Sequence, residues 1–125
     1  MRKYLVLAAL VAALPADAKS ERRCGWYHNP TPANVVLEDA AGQWWISRQG
    51  SAPAPGFEDA YTPAFDNRLR MDYGGEVTDS YGYSCACADG EFAPDAGLEE
   101  NVLSISRLTE LPIEKCRADP ALPPP

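Results

Sequence analysis

The sequence Tyr-Gly-Tyr-Ser-Cys-Ala-Cys-Ala at residues 81–88 decides the fold. Alternate residues of a β-strand point to the same face, so Tyr81, Tyr83, Cys85 and Cys87 share one face. The other face carries only small residues, which predicts close packing against another element. A bond between Cys85 and Cys87 would close a strained small ring, because their side chains lie roughly 6–7 Å apart on a strand. Each is therefore predicted to bond a distant cysteine.

The distant partners are Cys24 and Cys116, close to the two ends of the chain. Four cysteines in a small exported protein predict two disulfides, which would tie both ends to the central strand. Two pairings stay open: Cys24–Cys85 with Cys87–Cys116, or Cys24–Cys87 with Cys85–Cys116. A redox dithiol or a metal clip is the less favoured interpretation of Cys-Ala-Cys, because the acidic residues nearby would raise the pKa of a thiol.

Residues 1–18 have the three parts of a secretory signal. Arg2 and Lys3 supply positive charge, residues 4–14 are apolar, and residues 16–18 form a small-x-small cleavage site. This apolar run is shorter than the about 20 residues that span a bilayer. We expect a signal-peptide helix outside the fold, a periplasmic or secreted location, and no membrane insertion after the signal is removed.

The chain is acidic, with a formal net charge of −7. Loss of Arg2, Lys3 and Asp17 with the signal leaves nine basic and seventeen acidic residues, a charge of −8. Such a charge disfavours nucleic acid and anionic lipid as partners and favours cationic ones. Solubility is the simpler explanation of the same charge.

Turn-forming residues divide the segment after Cys24. Pro30 and Pro32 predict an extended or turning connection at residues 28–32 and exclude a helix there. Residues 35–37 and 43–47 are β-prone and enclose a short acidic turn with Gly42, which predicts a hairpin. Within it Trp44 and Trp45 face opposite sides, so one is expected in the core and the other nearer the surface.

The remaining segments predict loops, one further strand and one helical turn. Residues 48–58 are rich in Gly, Ser, Ala and Pro and are predicted to be a loop, and residues 61–79 an irregular excursion with a short strand at 69–73. Asp89-Gly90 predicts a turn. Residues 102–108 predict a strand with Leu103 and Ile105 facing the core, and residues 111–116 a helical turn that begins near Pro112.

These segments together predict a mainly β fold. We expect a small antiparallel sheet of four or five short strands with long loops, one short helical turn near the C-terminus and two disulfides. The expected organisation is a signal peptide at residues 1–18, a single domain at residues 19–119, and a Pro-rich tail at residues 120–125 whose end is solvated.

Several motifs along the chain resemble a family of small exported bacterial proteins, domain-of-unknown-function family 4087. The motifs are Arg23-Cys24-Gly25-Trp26-Tyr27, Asn29-Pro30-Thr31-Pro32 with Asn34, Gly42, Trp45-Ile46, Tyr81-Gly82-Tyr83, Cys85-Ala86-Cys87 and Cys116-Arg117-Ala118-Asp119-Pro120. The resemblance covers nearly the whole chain after residue 18. It implies export in a Gram-negative bacterium and brings no activity.

Aromatic side chains are the best candidates for binding, because such residues stack on sugars or peptides and are enriched at interaction surfaces. The candidates are Trp26, Tyr27, His28, Trp44, Tyr81 and Tyr83. In a chain poor in aliphatic residues, most of this set is expected to serve the core. No catalytic residue, metal ligand or cofactor is predicted. His28 is the only histidine, and a calcium site at Asp66, Asp72, Glu76 and Asp79 would lack the spacing of a known calcium loop.

The sequence therefore predicts a monomeric binding module for an envelope protein or glycan. The alternative is an inhibitor of a cationic hydrolase such as a lysozyme, which the acidic charge and disulfides would suit. A small enzyme is the least favoured interpretation, since no nucleophile motif is found in the sequence.

Overall fold

The computed structural model describes residues 19–61, 82–94, 96–97 and 100–125. The elements in chain order are β1 (Lys19–Thr31), β2 (Asn34–Asp39), β3 (Gly42–Ser47), α1 (Phe57–Ala60), β4 (Gly82–Phe92), β5 (Val102–Leu111) and α2 (Ile113–Arg117). The predicted signal, the predicted strand at 69–73, the calcium candidates and Tyr81 lie outside the described residues.

All five strands form one antiparallel sheet in the order β3-β2-β1-β4-β5. The central strand β1 pairs with β4 from Lys19 opposite Phe92 to Asn29 opposite Gly82. The mainly β fold, the β2–β3 hairpin and the helical turn after Pro112 are confirmed. The expectation of short strands is wrong for β1, β4 and β5, which have 13, 11 and 10 residues. A second short helix, α1, was not predicted.

The strand β1 continues through the segment predicted as a connection. Pro30 is tolerated because the pairing of β1 with β4 ends at Asn29 and the pairing with β2 is interrupted between His28 and Thr31. A proline at this position therefore removes no hydrogen bond of the ladder. The reversal to β2 follows at residues 32–33, where Ala33 has a φ of 60°.

Two irregularities between β4 and β5 correct the sequence interpretation. The predicted turn at Asp89-Gly90 is a break in register inside β4, where a Cβ on Gly90 would collide with the carbonyl oxygen of Ser104. A second break lies between Glu91 and Phe92. It leaves Leu103 without a partner on β4, so Leu103 is exposed and Val102 is buried in its place. A bulge places an extra residue in one strand, so the residues beyond it point to the opposite face from that predicted by strict alternation.

The main core lies on one side of the sheet, here called the inner face. Its buried members are Tyr27, Val35, Leu37, Trp44, Ile46, Ala54, Ala86, Ala88, Phe92, Val102 and Ile105. Phe57, Ala60 and Tyr61 pack against this cluster from the segment that contains α1. Ala86 and Ala88 are fully buried, which agrees with the close packing predicted for the small side of β4.

The opposite side, here called the outer face, carries both disulfides. Cys24 of β1 bonds Cys87 directly across the ladder, and Cys85 bonds Cys116 of α2, with Cα–Cα distances of 4.0 and 5.7 Å. The structure thus selects one of the two pairings that the sequence left open. A small second cluster forms around Trp26, Tyr83, Cys85 and Cys116. Leu111, Ile113 and Leu122 pack against it.

The two edge strands, β3 and β5, are bridged by side-chain and loop hydrogen bonds. The buried amide of Asn101 accepts from the N–H of Trp45 and donates to the carbonyl of Gln43, at 3.0 and 2.7 Å. Residues 54–55 make a second bridge, because the N–H of Ala54 donates to Ile46 and the N–H of Ile105 donates to Pro55. These contacts satisfy two carbonyl groups and one N–H of β3 and one N–H of β5 without a further strand.

Candidate functional site

The predicted binding residues divide between the two faces. Trp26, His28 and Tyr83 lie together on the outer face, where the ring centroids of Trp26 and Tyr83 are 5.4 Å apart and those of His28 and Tyr83 6.3 Å apart. Tyr27 and Trp44 lie in the inner core, away from that group. The structure thus brings together three of the five candidates that it describes, and Tyr81 lies outside the described residues.

Most of these aromatic rings are buried. Trp26, Tyr27, Trp44 and Tyr83 are each at most 6% exposed, as expected for a chain in which aromatics replace aliphatic core residues. His28 keeps a larger accessible fraction. Binding through the buried rings stays a prediction, and the accessible surface beside them is the more direct candidate.

A shallow groove of about 250 Å³ lies on the outer face next to His28. It is lined by His28, Pro30, Val36, Glu38, Gln43 and Trp45. Residues 36 and 38 of β2 and residues 43 and 45 of β3 share this face because the hairpin pairs Val36 with Trp45 and Glu38 with Gln43. We call this feature the Trp45 groove.

The polar groups of the Trp45 groove are organised around Glu38. One carboxylate oxygen, Oε1, lies 3.6 Å from Nε2 of His28, and the other, Oε2, accepts a hydrogen bond of 3.3 Å from Nε2 of Gln43. Burial of the imidazole lowers the pKa of His28 below its ordinary value of 6.5, and the nearby Glu38 carboxylate opposes this shift in part. His28 is therefore mainly neutral at pH 7, so the groove presents one carboxylate, one amide and one imidazole.

Trp45 supplies the apolar surface of the groove. Its side chain is half-buried, and its backbone N–H is held by Asn101. The indole Nε1 is screened from solvent and has no hydrogen-bond partner within the part of the chain that the structure describes. Trp45, Glu38 and Gln43 were not predicted as site residues, although the alternation of side chains along the predicted hairpin places them on one face.

The described residues contain no group of metal ligands, and their cysteines are bonded in pairs. Across residues 19–61, 82–94, 96–97 and 100–125, no three His, Cys, Asp or Glu side chains are grouped to hold a metal ion.

All four cysteines are bonded, and Cys85 and Cys87 have different partners as predicted. The disulfides indicate a protein that matures in an oxidising, extracytoplasmic environment. Among the described helices, none has the length and apolar character needed to cross a bilayer.

Comparison with known proteins identifies the family. Residues 18–123 match the family described as "Protein of unknown function (DUF4087)", so the chain belongs to that family. No curated protein and no solved structure shows a significant match to the chain. Family membership therefore confirms the resemblance seen in the sequence and leaves the function to be argued from the groove itself.

Proposed function

We propose that this member of the family is a periplasmic binding module that holds a glycan of the cell envelope in the Trp45 groove. The observation that carries the proposal is the combination, in one accessible groove, of an indole ring with the His28, Glu38 and Gln43 side chains. An aromatic ring beside a few fixed polar groups is the usual composition of a small-ligand site.

The groups of the groove suit a sugar ring. The apolar face of a pyranose stacks on an indole, while its hydroxyls donate to a carboxylate and exchange hydrogen bonds with an amide and a neutral imidazole. Glu38 is the strongest acceptor because it is charged. Its contacts with His28 and Gln43 fix its position before a ligand arrives. A preorganised acceptor reduces the entropy that binding would otherwise cost.

The proposal is tested by calorimetric titration of soluble peptidoglycan fragments and chito-oligosaccharides. We expect Trp45→Ala to weaken binding of a recognised glycan by about tenfold or more, because the loss of one stacked ring costs about 1–2 kcal/mol. Glu38→Gln should weaken it by a similar factor, since it removes the charged acceptor. Gln49→Ala, at an exposed position beyond β3, is the control and should bind as the wild type.

Two results would contradict this function. One is the absence of binding to any fragment at millimolar concentration by folded wild-type protein. The other is full retention of binding by Trp45→Ala. In either case the groove would be a surface depression without a glycan ligand.

A second candidate function is inhibition of a cationic hydrolase such as a lysozyme, and the acidic charge favours it. The chain carries a net charge of −7, and exposed acidic side chains include Glu58, Asp59, Glu91, Glu100 and Glu114. Binding through charge loses affinity steeply between low and physiological salt, whereas stacking of a neutral sugar on Trp45 changes little. A lysozyme activity assay at two ionic strengths therefore separates the candidates.

A further inference from the structure

The Pro-rich segment that follows α2 contacts the sheet through Leu122 and the carbonyl group of Pro123. The indole Nε1 of Trp26 donates a hydrogen bond of 2.8 Å to the carbonyl oxygen of Pro123, 97 residues away in sequence. Leu122 is half-buried and packs against the cluster formed by Trp26, Tyr83, Cys85 and Cys116. Pro123, Pro124 and Pro125 are exposed, in line with the solvated end predicted from composition. The contact with the sheet is made by the Leu122 side chain and the Pro123 carbonyl, because Trp26 provides both an apolar wall and a donor.

A defined turn directs the segment onto Trp26. The N–H of Ala121 donates to Oδ1 of Asp119 at 2.9 Å, and the N–H of Leu122 donates to the Asp119 carbonyl at 3.2 Å. The preceding helix α2 is held covalently through Cys85–Cys116. The segment therefore starts from a fixed point only a few residues from its docking position.

The surface that receives the segment has the properties of a peptide-binding groove. Trp26 is 2% exposed, and its ring meets Tyr83 edge to face at 5.4 Å. A cavity of about 200 Å³ continues beside Leu122, with Leu111, Lys115 and Cys116 among its lining residues. Proline has no N–H, so a Pro-rich segment is recognised through hydrogen-bond donors to its carbonyl groups and through apolar contacts. Aromatic grooves with an indole donor recognise extended Pro-rich segments in this way.

We propose that the surface around Trp26 is a docking site for an extended Leu-Pro segment of a protein partner, and that Leu122 and Pro123 of the same chain occupy it in this structure. It differs in place and chemistry from the Trp45 groove, which takes a polar ligand. The internal segment acts as a built-in competitor. A partner must displace it before binding.

The tether sets how strongly the internal segment competes. A short flexible connection gives an effective concentration in the millimolar range. A free peptide with an intrinsic dissociation constant near 100 μM would then bind the wild type about tenfold or more weakly than a protein whose own segment is released. The site is thus expected to respond to partners presented at high local concentration or in several copies.

The test uses the full chain and a fluorescent peptide with the sequence of residues 119–125, followed by fluorescence anisotropy. Leu122→Ser weakens the internal contact, and we expect it to bind the peptide at least about tenfold more tightly than the wild type. Leu103→Ser, a matched change at an exposed leucine of β5, should bind as weakly as the wild type. Trp45→Ala combined with Leu122→Ser should keep peptide binding, which separates this site from the Trp45 groove.

A third variant tests the donor itself. Trp26→Phe in the Leu122→Ser background keeps an aromatic ring and loses the N–H, so peptide affinity should fall about fivefold, the equivalent of one hydrogen bond. If Leu122→Ser does not fold, as judged by near-ultraviolet circular dichroism, Leu122→Ala is the milder substitute.

Three results would overturn the proposal. Folded Leu122→Ser that binds no peptide at millimolar concentration would make residues 120–125 a structural cover only. Equal affinity of wild type and Leu122→Ser would place the peptide elsewhere. A wild-type dimer in sedimentation that dissociates in Leu122→Ser would assign the surface to exchange of segments between two copies.

Discussion

The inner and outer faces of the same sheet are stabilised by different means. The inner face is a continuous cluster of buried apolar side chains covered by residues 54–61. The outer face holds a smaller cluster, which is stabilised by both disulfides and by the contact with Leu122. A chain with few aliphatic residues can fill one core by packing, while the second side needs covalent bonds.

Neighbouring residues of the same type show this difference directly. Trp44 is 3% exposed under the inner core, while Trp45 is half-buried at the groove. Arg23 lies with its guanidinium 3.7 Å above the centre of the Trp44 ring and 3.0 Å from Asp39, whereas Arg22 makes a 3.5 Å ion pair with Asp89 on the outer side. The two residues of each pair are neighbours of the same type on opposite faces of the sheet. The face on which a residue lies, and not its type, therefore determines how much it contributes to stability.

The largest effect should come from removing both covalent bonds of the outer face. The bridges close loops with sequence separations of 63 and 31, for which chain entropy gives about 4 kcal/mol each. Their sum is comparable to the whole stability of a typical domain, so we expect the fully reduced protein to be unfolded in the absence of denaturant. Near-ultraviolet circular dichroism before and after reduction measures this. A reduced protein with native tryptophan signals would show that the inner core suffices.

The paired tryptophans give the next largest difference. We expect Trp44→Ala to lower the free energy of unfolding by about 3–5 kcal/mol, because it opens a cavity between Arg23 and Phe92. Trp45→Ala should cost less, about 1–2 kcal/mol, since Trp45 is only partly buried. Urea titration of the two variants checks the contrast, and equal losses would contradict the assignment of faces.

The paired arginines should follow the same order with smaller values. Arg23→Ala leaves the buried carboxylate of Asp39 without its cation, with side-chain exposures of 14% and 11%, and should cost about 2–3 kcal/mol. Arg22→Ala removes a longer ion pair whose side chains are 47% and 28% exposed, and it should cost about 1 kcal/mol or less. Chemical denaturation at low salt measures both. A large loss for Arg22→Ala would mean that the outer ion pair is more important than its exposure indicates.

The bridge between the two edge strands predicts an intermediate effect. Asn101→Ala would leave the N–H of Trp45 and the carbonyl of Gln43 without their partner, at a cost of about 1–2 kcal/mol. Asn101→Asp keeps the acceptor but places a carboxylate oxygen against the Gln43 carbonyl at a buried position, so it should cost at least as much as the alanine variant. Hydrogen exchange of the Trp45 amide follows the same contact. Unchanged protection in Asn101→Ala would contradict the bridge.

The smallest effect concerns the pH dependence of the outer face. Burial lowers the folded-state pKa of His28, so the unfolded chain binds the proton more readily. The stability that comes from neutral His28 is therefore fully present above pH 6.5 and is lost as the pH falls through the folded pKa. His28→Gln should flatten the loss of stability below pH 6.5, measured by thermal unfolding against pH. Identical curves for wild type and variant would contradict the burial effect.

The parts of the fold that were predicted correctly follow from local rules. The β2–β3 hairpin, the opposite facing of Trp44 and Trp45, and the strand that contains Cys85 and Cys87 depend on backbone geometry over a few residues. The bulges at Gly90 and Leu103 were not predicted, because each depends on how β4 pairs with β5 and not on the residues of one strand alone. The Trp45 groove was missed for a related reason, since its lining comes from β1, β2 and β3 together.

The sequence by itself determined the alternation of side chains along each strand, the existence of two disulfides, and the distant segments that they join. Only the tertiary structure decided which cysteines pair, which tryptophan is buried, and that Leu122 and Pro123 contact the cluster around Trp26. The alternation of side chains follows from steric limits on the backbone over a few residues, so the local sequence is enough to predict it. Which side of a strand becomes interior depends on whatever distant segment covers it, and that choice is made by packing free energy over the whole molecule.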